Sequence, residues 1–341
     1  MTSRSVLQPI IALAAAIALL AACSDNGKDT TNTSDNPDRP VIVATTGMIA
    51  DAARNIAADL ATVHQLMGPG VDPHLYAATP SDTRRLLDAD LVLYNGLFLE
   101  GKLSDALKRA SSEDKPAIPV TERVDPALLI APDQFEAAHD PHLWMDPAAW
   151  KNADEVIRDQ IINIDPEHEP EYRQNAADYL AEIDEIDAYA ERVLASVPPE
   201  QRVLITAHDA FNYFGERFGF EVLGIQGLST ESEAGIRRIN DIVNLIVNRR
   251  VAAVFIESTV NERNVRALIE PAARRSHTVT IAGSLFSDAM GPSQTYEGTY
   301  IGMIDHNATT IARALGGNAP EKGHHGRLAN TVPTPPNQET R

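Results

Sequence analysis

The chain has 341 residues, of which 48 are acidic and 29 basic, so its formal net charge at pH 7 is −19. This acidic balance argues against a protein that binds the phosphate backbone of nucleic acids. A single cysteine excludes an intrachain disulfide framework or a site built from several thiolates. The length predicts about two domains, and the 43% of hydrophobic residues are enough to give them a buried core.

The N-terminal segment predicts export. Residues 10–22 are apolar and uncharged, follow Arg4 and directly precede Cys23. A run of this length is too short for a comfortable membrane span and is typical of a signal peptide. We therefore expect residues 1–22 to be a lipoprotein signal peptide, with a lipid on the Cys23 thiol; the alternative is an ordinary secretory signal beside a chance cysteine. Residues 23–40 are polar and aperiodic, so we expect a flexible tether that anchors the chain to the outer face of the cytoplasmic membrane.

Strand and helix patterns alternate from residue 41. Apolar and β-branched runs predict strands at residues 41–45, 63–66, 91–94 and 117–120. Helical patterns lie at residues 47–60 and 80–87, the second with Thr79 as N-cap before Pro80. Strands that alternate with helices indicate a parallel sheet covered on both faces. We therefore predict an N-terminal α/β lobe at residues 41–165.

One long amphipathic helix follows. Between Tyr172 and Val197, apolar residues recur at intervals of three, four or seven, with no glycine or proline before Pro198. This pattern predicts a helix of about 27 residues, roughly 40 Å long. Its place halfway along the chain favours residues 166–197 as a linking helix between two lobes over a plain surface helix.

The strand and helix alternation resumes after the linking helix. Strands are predicted at residues 202–206, 221–224, 251–256 and 278–281, and helices at residues 210–218, 234–248, 261–273 and 300–315. Residues 198–317 form the predicted C-terminal α/β lobe, and residues 318–341 lack periodicity and are expected to be a disordered tail. The predicted fold class is α/β, with two parallel-sheet lobes joined by a single long helix.

Four residues in loops after strands are the candidates for chemistry. Sequence patterns of common enzymes, such as the P-loop and H-E-x-x-H, are absent. In open α/β sheets, ligands bind beyond the carboxyl ends of the strands, where His74, His142, His208 and Asp288 fall. Three imidazoles and a carboxylate suit Zn²⁺, Mn²⁺ or Fe²⁺. If the lobes face each other, the first two residues come from one side and the last two from the other.

Neighbouring side chains are candidates for orienting these four residues. We expect that role for Asp209, Glu257 and His139. Three further aspartates each precede a proline and are more typical of turns: Asp72, Asp140 and Asp146. His139 and the pair His324-His325 are alternatively accessory metal scavengers. The remaining histidines are interpreted as structural: His64, His168, His277 and His306.

Six segments, taken together and in order, resemble one known family. They are GVDPHLYAATPSD, YNGLFLEGKL, DPHLWMDP, AHDAFNYFGERFG, STESEAGI and LFSDAMGPSQTYEGTYIGMIDHN. These segments are similar to the TroA-like zinc- and manganese-specific solute-binding lipoproteins of ABC importers. The resemblance spans residues 41–316. It implies two α/β lobes joined by one rigid helix, with one divalent metal ion between them.

The resemblance also implies which residues bind the metal. The family's ligand positions fall on His74, His142, His208 and Asp288. Members with glutamate at the third position are typically manganese binders, whereas this chain has His208 there. Many zinc-dedicated members carry a long His-rich loop before the second ligand, but here that segment is short and holds only His139. Zinc or manganese is therefore the expected cargo, with iron as a further option.

The leading hypothesis is a monomeric binding protein rather than an enzyme. It would capture one divalent transition-metal ion and deliver it to a cognate ABC permease whose ATPase is a separate subunit. Affinity is expected to fall below about pH 6, where ordinary imidazoles protonate. Two alternatives stay open: a metal-dependent hydrolase with Glu257 or Glu100 as general base, and a surface adhesin, a label that members of the family have carried.

Overall fold

The computed structural model describes residues 39–111, 115–131 and 139–329. The strands are β1 (Val41–Ala44), β2 (Thr62–Gln65), β3 (Leu91–Tyr94), β4 (Ala117–Pro119), β5 (Val203–Thr206), β6 (Glu221–Gly224), β7 (Ala253–Glu257) and β8 (Thr280–Leu285). The α-helices are α1 (Gly47–Ala57), α2 (Pro80–Asp88), α3 (Ser104–Ala110), α4 (Pro147–Ile164), α5 (Glu169–Ala195), α6 (Asn212–Phe218), α7 (Ile236–Arg249), α8 (Arg263–Arg274) and α9 (Tyr300–Ala314). None of the helices in these ranges combines the length and the apolar character that a bilayer span requires. Cys23 and the predicted signal peptide lie outside the described residues.

The strands form parallel sheets on both sides of α5 in the sequence. The first four make one parallel sheet in the order β2-β1-β3-β4. After α5, β5 pairs with β6 and β7 with β8, again in parallel, and β5 lies beside β7. Parallel neighbours need crossover connections, which helices supply here. The predicted fold class, α/β with parallel sheets and one long connecting helix, is confirmed.

Helix α5 is buried along one face. Its 27 residues include Tyr172, Tyr179, Ile183 and Ile186, which are buried at the predicted helical spacing. The helix packs against α1, α4 and α9, so elements from before and after it enclose one apolar core. This contact makes α5 part of the core rather than a bare spacer. The lobe boundaries near residues 165 and 198 stay a prediction.

Buried hydrogen bonds join the two halves of the chain directly. Tyr300, the first residue of α9, donates its backbone N–H to Asp51 of α1 at 2.9 Å and its hydroxyl to the carbonyl of Trp144 at 2.8 Å. Trp144 in turn donates its indole N–H to the carbonyl of Ser287 at 2.9 Å. Buried polar groups are costly to leave unpaired. These bonds therefore hold the loop around Ser287 against the N-terminal half.

Two helices, α3 and α4, have no counterpart among the predicted elements. Asp146 is the N-cap of α4 and accepts two N–H groups of the first turn, and Pro147 is the first helical residue. This is an ordinary helix start signal, although Asp146 before a proline was expected to form only a turn. Strand β8 also extends beyond its predicted end at residue 281 to Leu285, because its pairing with β7 continues through Gly283.

The prediction of a disordered tail from residue 318 is wrong for residues 318–329. The side chain of Leu328 is 2% exposed. The backbone N–H of His324 donates to both oxygens of Asp305 at 2.9 Å, and that of Ala329 donates to Glu297 at 2.7 Å. Polar backbone contacts of this kind leave no hydrophobic periodicity in the sequence, which is why the pattern did not indicate them. Residues 330–341 lie outside the described residues.

Candidate metal centre

The structure brings the four candidate residues into one buried cluster. Ligand-type atoms of His74, His142, His208 and Asp288 all lie within 4.8 Å of one another. The imidazole centroids are separated by 5.4 Å for His142 and His208, 5.5 Å for His74 and His142, and 6.0 Å for His74 and His208. All four residues are at most 4% exposed. Donor atoms at this spacing can converge on a single metal ion.

Three of these four side chains follow the ends of parallel strands. His208 lies two residues beyond the end of β5, and Asp288 lies three residues beyond the end of β8. His74 is in the loop that follows β2, and His142 directly precedes the 3₁₀ helix Leu143–Met145. The carboxyl ends of parallel strands meet at one edge of a sheet. The cluster therefore occupies the place where this fold class binds ligands.

Both oxygens of Asp288 face the imidazoles. Oδ1 lies 3.4 Å from Nε2 of His142, and Oδ2 lies 3.1 Å from Nε2 of His208 and 3.8 Å from Nε2 of His74. The three Nε2 atoms and the two carboxylate oxygens are buried without a hydrogen-bond partner. Each buried, unpaired polar group costs about 1–3 kcal/mol. A cation bound to all five atoms would remove that cost.

An Asp-Pro-His sequence fixes two of the histidines. Asp72 and Asp140 each accept the backbone N–H of the histidine two residues later, His74 and His142, at 2.9 Å. Asp140 also contacts Nδ1 of His142 at 2.7 Å, so the ring proton sits on Nδ1 and Nε2 is free to face the cluster. Asp72 instead accepts the hydroxyl of Thr230 at 2.6 Å. Both aspartates are turn residues, as interpreted, but Asp140 additionally orients an imidazole.

His208 is held by Glu257 at the end of β7. Glu257 Oε1 accepts the backbone N–H of His208 at 2.9 Å, and Oε2 contacts Nδ1 of the same residue at 2.5 Å. A carboxylate at Nδ1 again leaves Nε2 as the atom that can bind a metal. Asp209 contacts the side chain of Asn212, which donates to Asp140 at 2.9 Å. Glu257 therefore contacts a cluster histidine directly, whereas Asp209 is connected to the cluster through Asn212 and Asp140.

Burial and charge act in opposite directions on the cluster. Burial lowers the pKa of His74 to about 4. Burial also disfavours the charged form of His208, but the carboxylates of Asp288 and Glu257 outweigh it and raise the pKa of His208 well above its usual value. Burial disfavours the charged form of Asp288 as well, but the nearby imidazoles, His208 above all, hold its pKa well below its usual value. A proton on His208 therefore competes with a metal ion for Nε2.

A surface cavity of about 350 Å³ leads to His74. Its lining includes Phe98, His139 and Glu231. The Phe98 side chain is 85% exposed, and Glu231 forms an ion pair with Lys102 at 3.6 Å beside the cavity. His139 has a buried Nδ1 without a hydrogen-bond partner, but it lies in this cavity and outside the four-residue cluster. His139 therefore lines the same cavity as His74, and its role in orienting a ligand stays a prediction.

The other histidines lie away from the cluster. The rings of His277 and His306 contact backbone carbonyls at 2.7 and 2.8 Å, His168 contacts Asp165 at 2.8 Å, and His64 is exposed on β2. These contacts agree with the structural interpretation. His324 and His325 belong to a separate group with Glu185.

Known proteins with related sequences cover most of the chain. The family model of ZnuA, the periplasmic component A of zinc-uptake complexes, matches residues 42–314. The manganese-binding lipoprotein MntA of Bacillus subtilis (strain 168) is 43% identical over 301 residues, which are 88% of this chain and 98% of that protein. The zinc-binding protein TroA of Treponema pallidum (strain Nichols) is 43% identical over 277 residues, 81% of this chain and 89% of that protein. The solved structure of the periplasmic zinc-binding protein TroA from Treponema pallidum matches with a TM-score of 0.79 at 42% identity, and the match covers 81% of this chain and 99% of that one.

Proposed function

We propose that this chain, which belongs to the ZnuA family of periplasmic zinc-uptake components, captures one divalent transition-metal ion outside the cytoplasmic membrane and delivers it to an ABC permease. The ATPase that drives such a permease would be a separate chain, since this sequence has no P-loop. The observation that carries the proposal is the set of five buried, unpaired donor atoms on His74, His142, His208 and Asp288.

We infer that all five donor atoms bind the ion. The three Nε2 atoms face the two oxygens of Asp288, and neither oxygen has another hydrogen-bond partner. A shell made only of protein atoms leaves no position for a reactive water, which distinguishes binding sites from hydrolytic ones. Carriage of the ion, rather than chemistry on it, is therefore the function that this set of ligands supports.

We propose Zn²⁺ and Mn²⁺ as the candidate cargoes, with Fe²⁺ as the third. Three imidazoles favour zinc over manganese on intrinsic affinity. A carboxylate that binds through two oxygens raises the coordination number toward what manganese and iron accept. The relatives named for manganese and for zinc are both 43% identical to this chain, so overall similarity favours neither metal.

The hydrolase alternative loses its two proposed general bases. Both oxygens of Glu257 contact His208. Glu100 is 3% exposed and accepts hydrogen bonds from Thr45, Asn95 and Gly96. A general base must reach the water that it activates, and these carboxylates are already engaged. The adhesin alternative stays a prediction that the geometry of the site does not address.

We further propose that a lipid on Cys23 anchors the protein to the outer face of the cytoplasmic membrane, and that it acts as a monomer. The support for the anchor is the sequence before residue 40 and the similarity to a lipoprotein of Bacillus subtilis. Incorporation of labelled fatty acid into the intact chain, but not into a Cys23→Ser variant, tests the anchor. Unlabelled wild-type protein would refute it.

Thermal melts of the chain from Ser24 onward test the metal function. The protein is stripped with chelator and titrated separately with Zn²⁺, Mn²⁺ and Fe²⁺. An ion that binds only the folded state adds about 2.7 kcal/mol at 100 times its Kd, which raises Tm by several degrees. His208→Ala is expected to lose most of this shift, whereas His64→Ala, which removes an exposed histidine outside the cluster, keeps it. No shift with any of the three metals would refute the proposal.

A further inference from the structure

A second group of metal-ligand side chains lies outside the four-residue cluster. Glu185 of α5 and His324 and His325 of the C-terminal segment offer ligand atoms that lie within 4.8 Å of one another. Glu185 and His325 are exposed, and His324 is half-buried. The centroids of the two imidazole rings are 3.8 Å apart. This group joins the linking helix to a segment that the sequence had predicted to be disordered.

The backbone that presents the two histidines is fixed by Asp305. This residue is fully buried, and both its oxygens accept the backbone N–H of His324 at 2.9 Å. The hydroxyls of Tyr296 and Thr309 donate to the same carboxylate at 3.1 and 3.0 Å. Gly323 has a φ of +66°, and a Cβ there would lie 2.3 Å from Asp305 Oδ1, so the close approach requires glycine. The turn is therefore built by protein contacts alone.

The His324 ring is also held in place, beside the helix face that carries Glu185. Glu185 and Tyr189 are four residues apart on α5 and so share one face of the helix. The Tyr189 ring lies 4.8 Å from the His324 ring, and its hydroxyl is fixed by Thr309 at 2.7 Å. Nε2 of His324 is buried without a hydrogen-bond partner. His325 has a φ of +53°, which is uncommon for a residue other than glycine and places its ring beside that of His324.

The charges around the group select the class of ion. Two of the three ligand side chains are imidazoles, those of His324 and His325. Only one carboxylate, Glu185, contributes negative charge to the ligand set. Hard cations such as Mg²⁺, Ca²⁺ and Mn²⁺ prefer several oxygen ligands, whereas imidazole suits Zn²⁺, Ni²⁺ and Cu²⁺. The ligand set therefore favours the second class.

We propose that Glu185, His324 and His325 form a second metal site, for a divalent cation of the zinc class, that ties residues 318–329 to the linking helix. Three protein ligands leave room for water on the ion, as in open zinc sites. The site is separate from the transport cluster in its residues, its exposure and its expected selectivity. Its existence does not depend on the transport proposal.

Counting bound ions tests the second site. The full chain, purified without a polyhistidine tag, is dialysed against ZnCl₂ or MnCl₂, and the metal per chain is measured by elemental analysis. We expect two zinc ions but one manganese ion. The double variant His324→Ala/His325→Ala is expected to hold one ion of either metal, and His64→Ala, which removes another exposed histidine, is expected to keep two zinc ions. If the transport cluster failed to bind, the wild type would hold one zinc ion that the double variant loses, which would still support the second site.

Two further measurements test the geometry. In Glu185→Gln, the affinity for the second zinc ion is expected to fall by about tenfold or more, as measured by calorimetry. Loss of a residue that only orients a metal ligand already has that effect. Zinc-loaded wild type, compared with manganese-loaded wild type, is expected to show slower backbone hydrogen exchange in residues 318–329, by up to about 100-fold at 100 times Kd. An equal zinc count in the double variant and the wild type, unchanged affinity in Glu185→Gln, or equal exchange in the two metal forms would overturn the proposal.

Discussion

Replacing Glu257 by glutamine tests how the metal cluster is held. In the native chain both carboxylate oxygens accept, one from the backbone N–H of His208 and one from its Nδ1. A glutamine amide has one accepting oxygen and one donating NH₂. If the oxygen keeps the backbone N–H, the NH₂ faces Nδ1, and the ring proton must move to Nε2. In the neutral ring that must bind the metal, the atom that faces the other ligands would then carry a proton instead of a lone pair.

The size of the effect follows from two estimates. A hydrogen bond to a charged group contributes about 1.5–3 kcal/mol, and this one fixes the tautomer that binds the metal. Mutation of a residue that orients a metal ligand typically weakens binding by about 10- to 100-fold, which is about 1.4–2.7 kcal/mol. The two ranges overlap. We therefore expect the Kd for Zn²⁺ to rise about 10- to 100-fold in Glu257→Gln.

Competition with a chromophoric chelator near neutral pH measures the Kd, and Glu100→Gln is the matched control. Glu100 is also buried and accepts hydrogen bonds from Thr45 and two backbone N–H groups, but it contacts none of the four cluster residues. Both variants are expected to lower Tm, because each replaces an accepting oxygen in a buried hydrogen-bond network by a donating NH₂. Only Glu257→Gln is expected to weaken zinc binding. Wild-type affinity in a folded Glu257→Gln protein, or equal weakening by Glu100→Gln, would refute the reasoning.

Three further predictions concern protons and packing. Zinc binding near pH 7 is expected to release about one proton, from the His208 ring beside Asp288. Zinc affinity is therefore expected to rise with pH until the raised pKa of His208 is passed, and on acidification its loss begins at a higher pH than the value of about 6 for ordinary imidazoles. Calorimetry in buffers of different ionisation enthalpy counts that proton, and a count of zero would contradict the assignment. Asp154→Asn is expected to raise Tm at neutral pH. Burial without a hydrogen-bond partner raises the pKa of the Asp154 carboxyl well above its usual value. The folded chain therefore retains a proton that the unfolded chain releases, and it loses stability as pH rises above about 4. Melts across pH check this: the gain must shrink toward about pH 4, and a gain independent of pH would count against it. Gly302→Ala is expected to destabilise by about 1–3 kcal/mol or more, because a Cβ there would lie 1.8 Å from the carbonyl oxygen of Tyr296; a change below about 0.5 kcal/mol in denaturant melts would show that the backbone adapts.

Periodic segments of the fold were predictable from the sequence, and polar ones were not. The strand predicted at residues 91–94 is β3, and the long helix predicted within residues 166–197 is α5. Helix α4 could also have been predicted, because Trp150, Ile157 and Ile161 recur at helical spacing after the Asp146 cap. The ordered segment at residues 318–329 could not be predicted. Its backbone N–H groups bind the buried carboxylates of Asp305 and Glu297, and such contacts leave no periodic pattern of apolar residues in the sequence.

The cluster residues themselves could be predicted, but only part of what orients them. Asp140 is two residues from His142, so the Asp-Pro-His sequence already indicates that contact. Glu257 meets His208 only because β7 lies beside β5, and no local pattern relates residues 49 positions apart. The orientation of the His142 ring therefore depends on a local turn, and that of the His208 ring depends on the packing of β7 beside β5. A substitution that shifts β7 within the C-terminal half is expected to weaken metal binding through His208 while the local turn at His142 keeps its geometry.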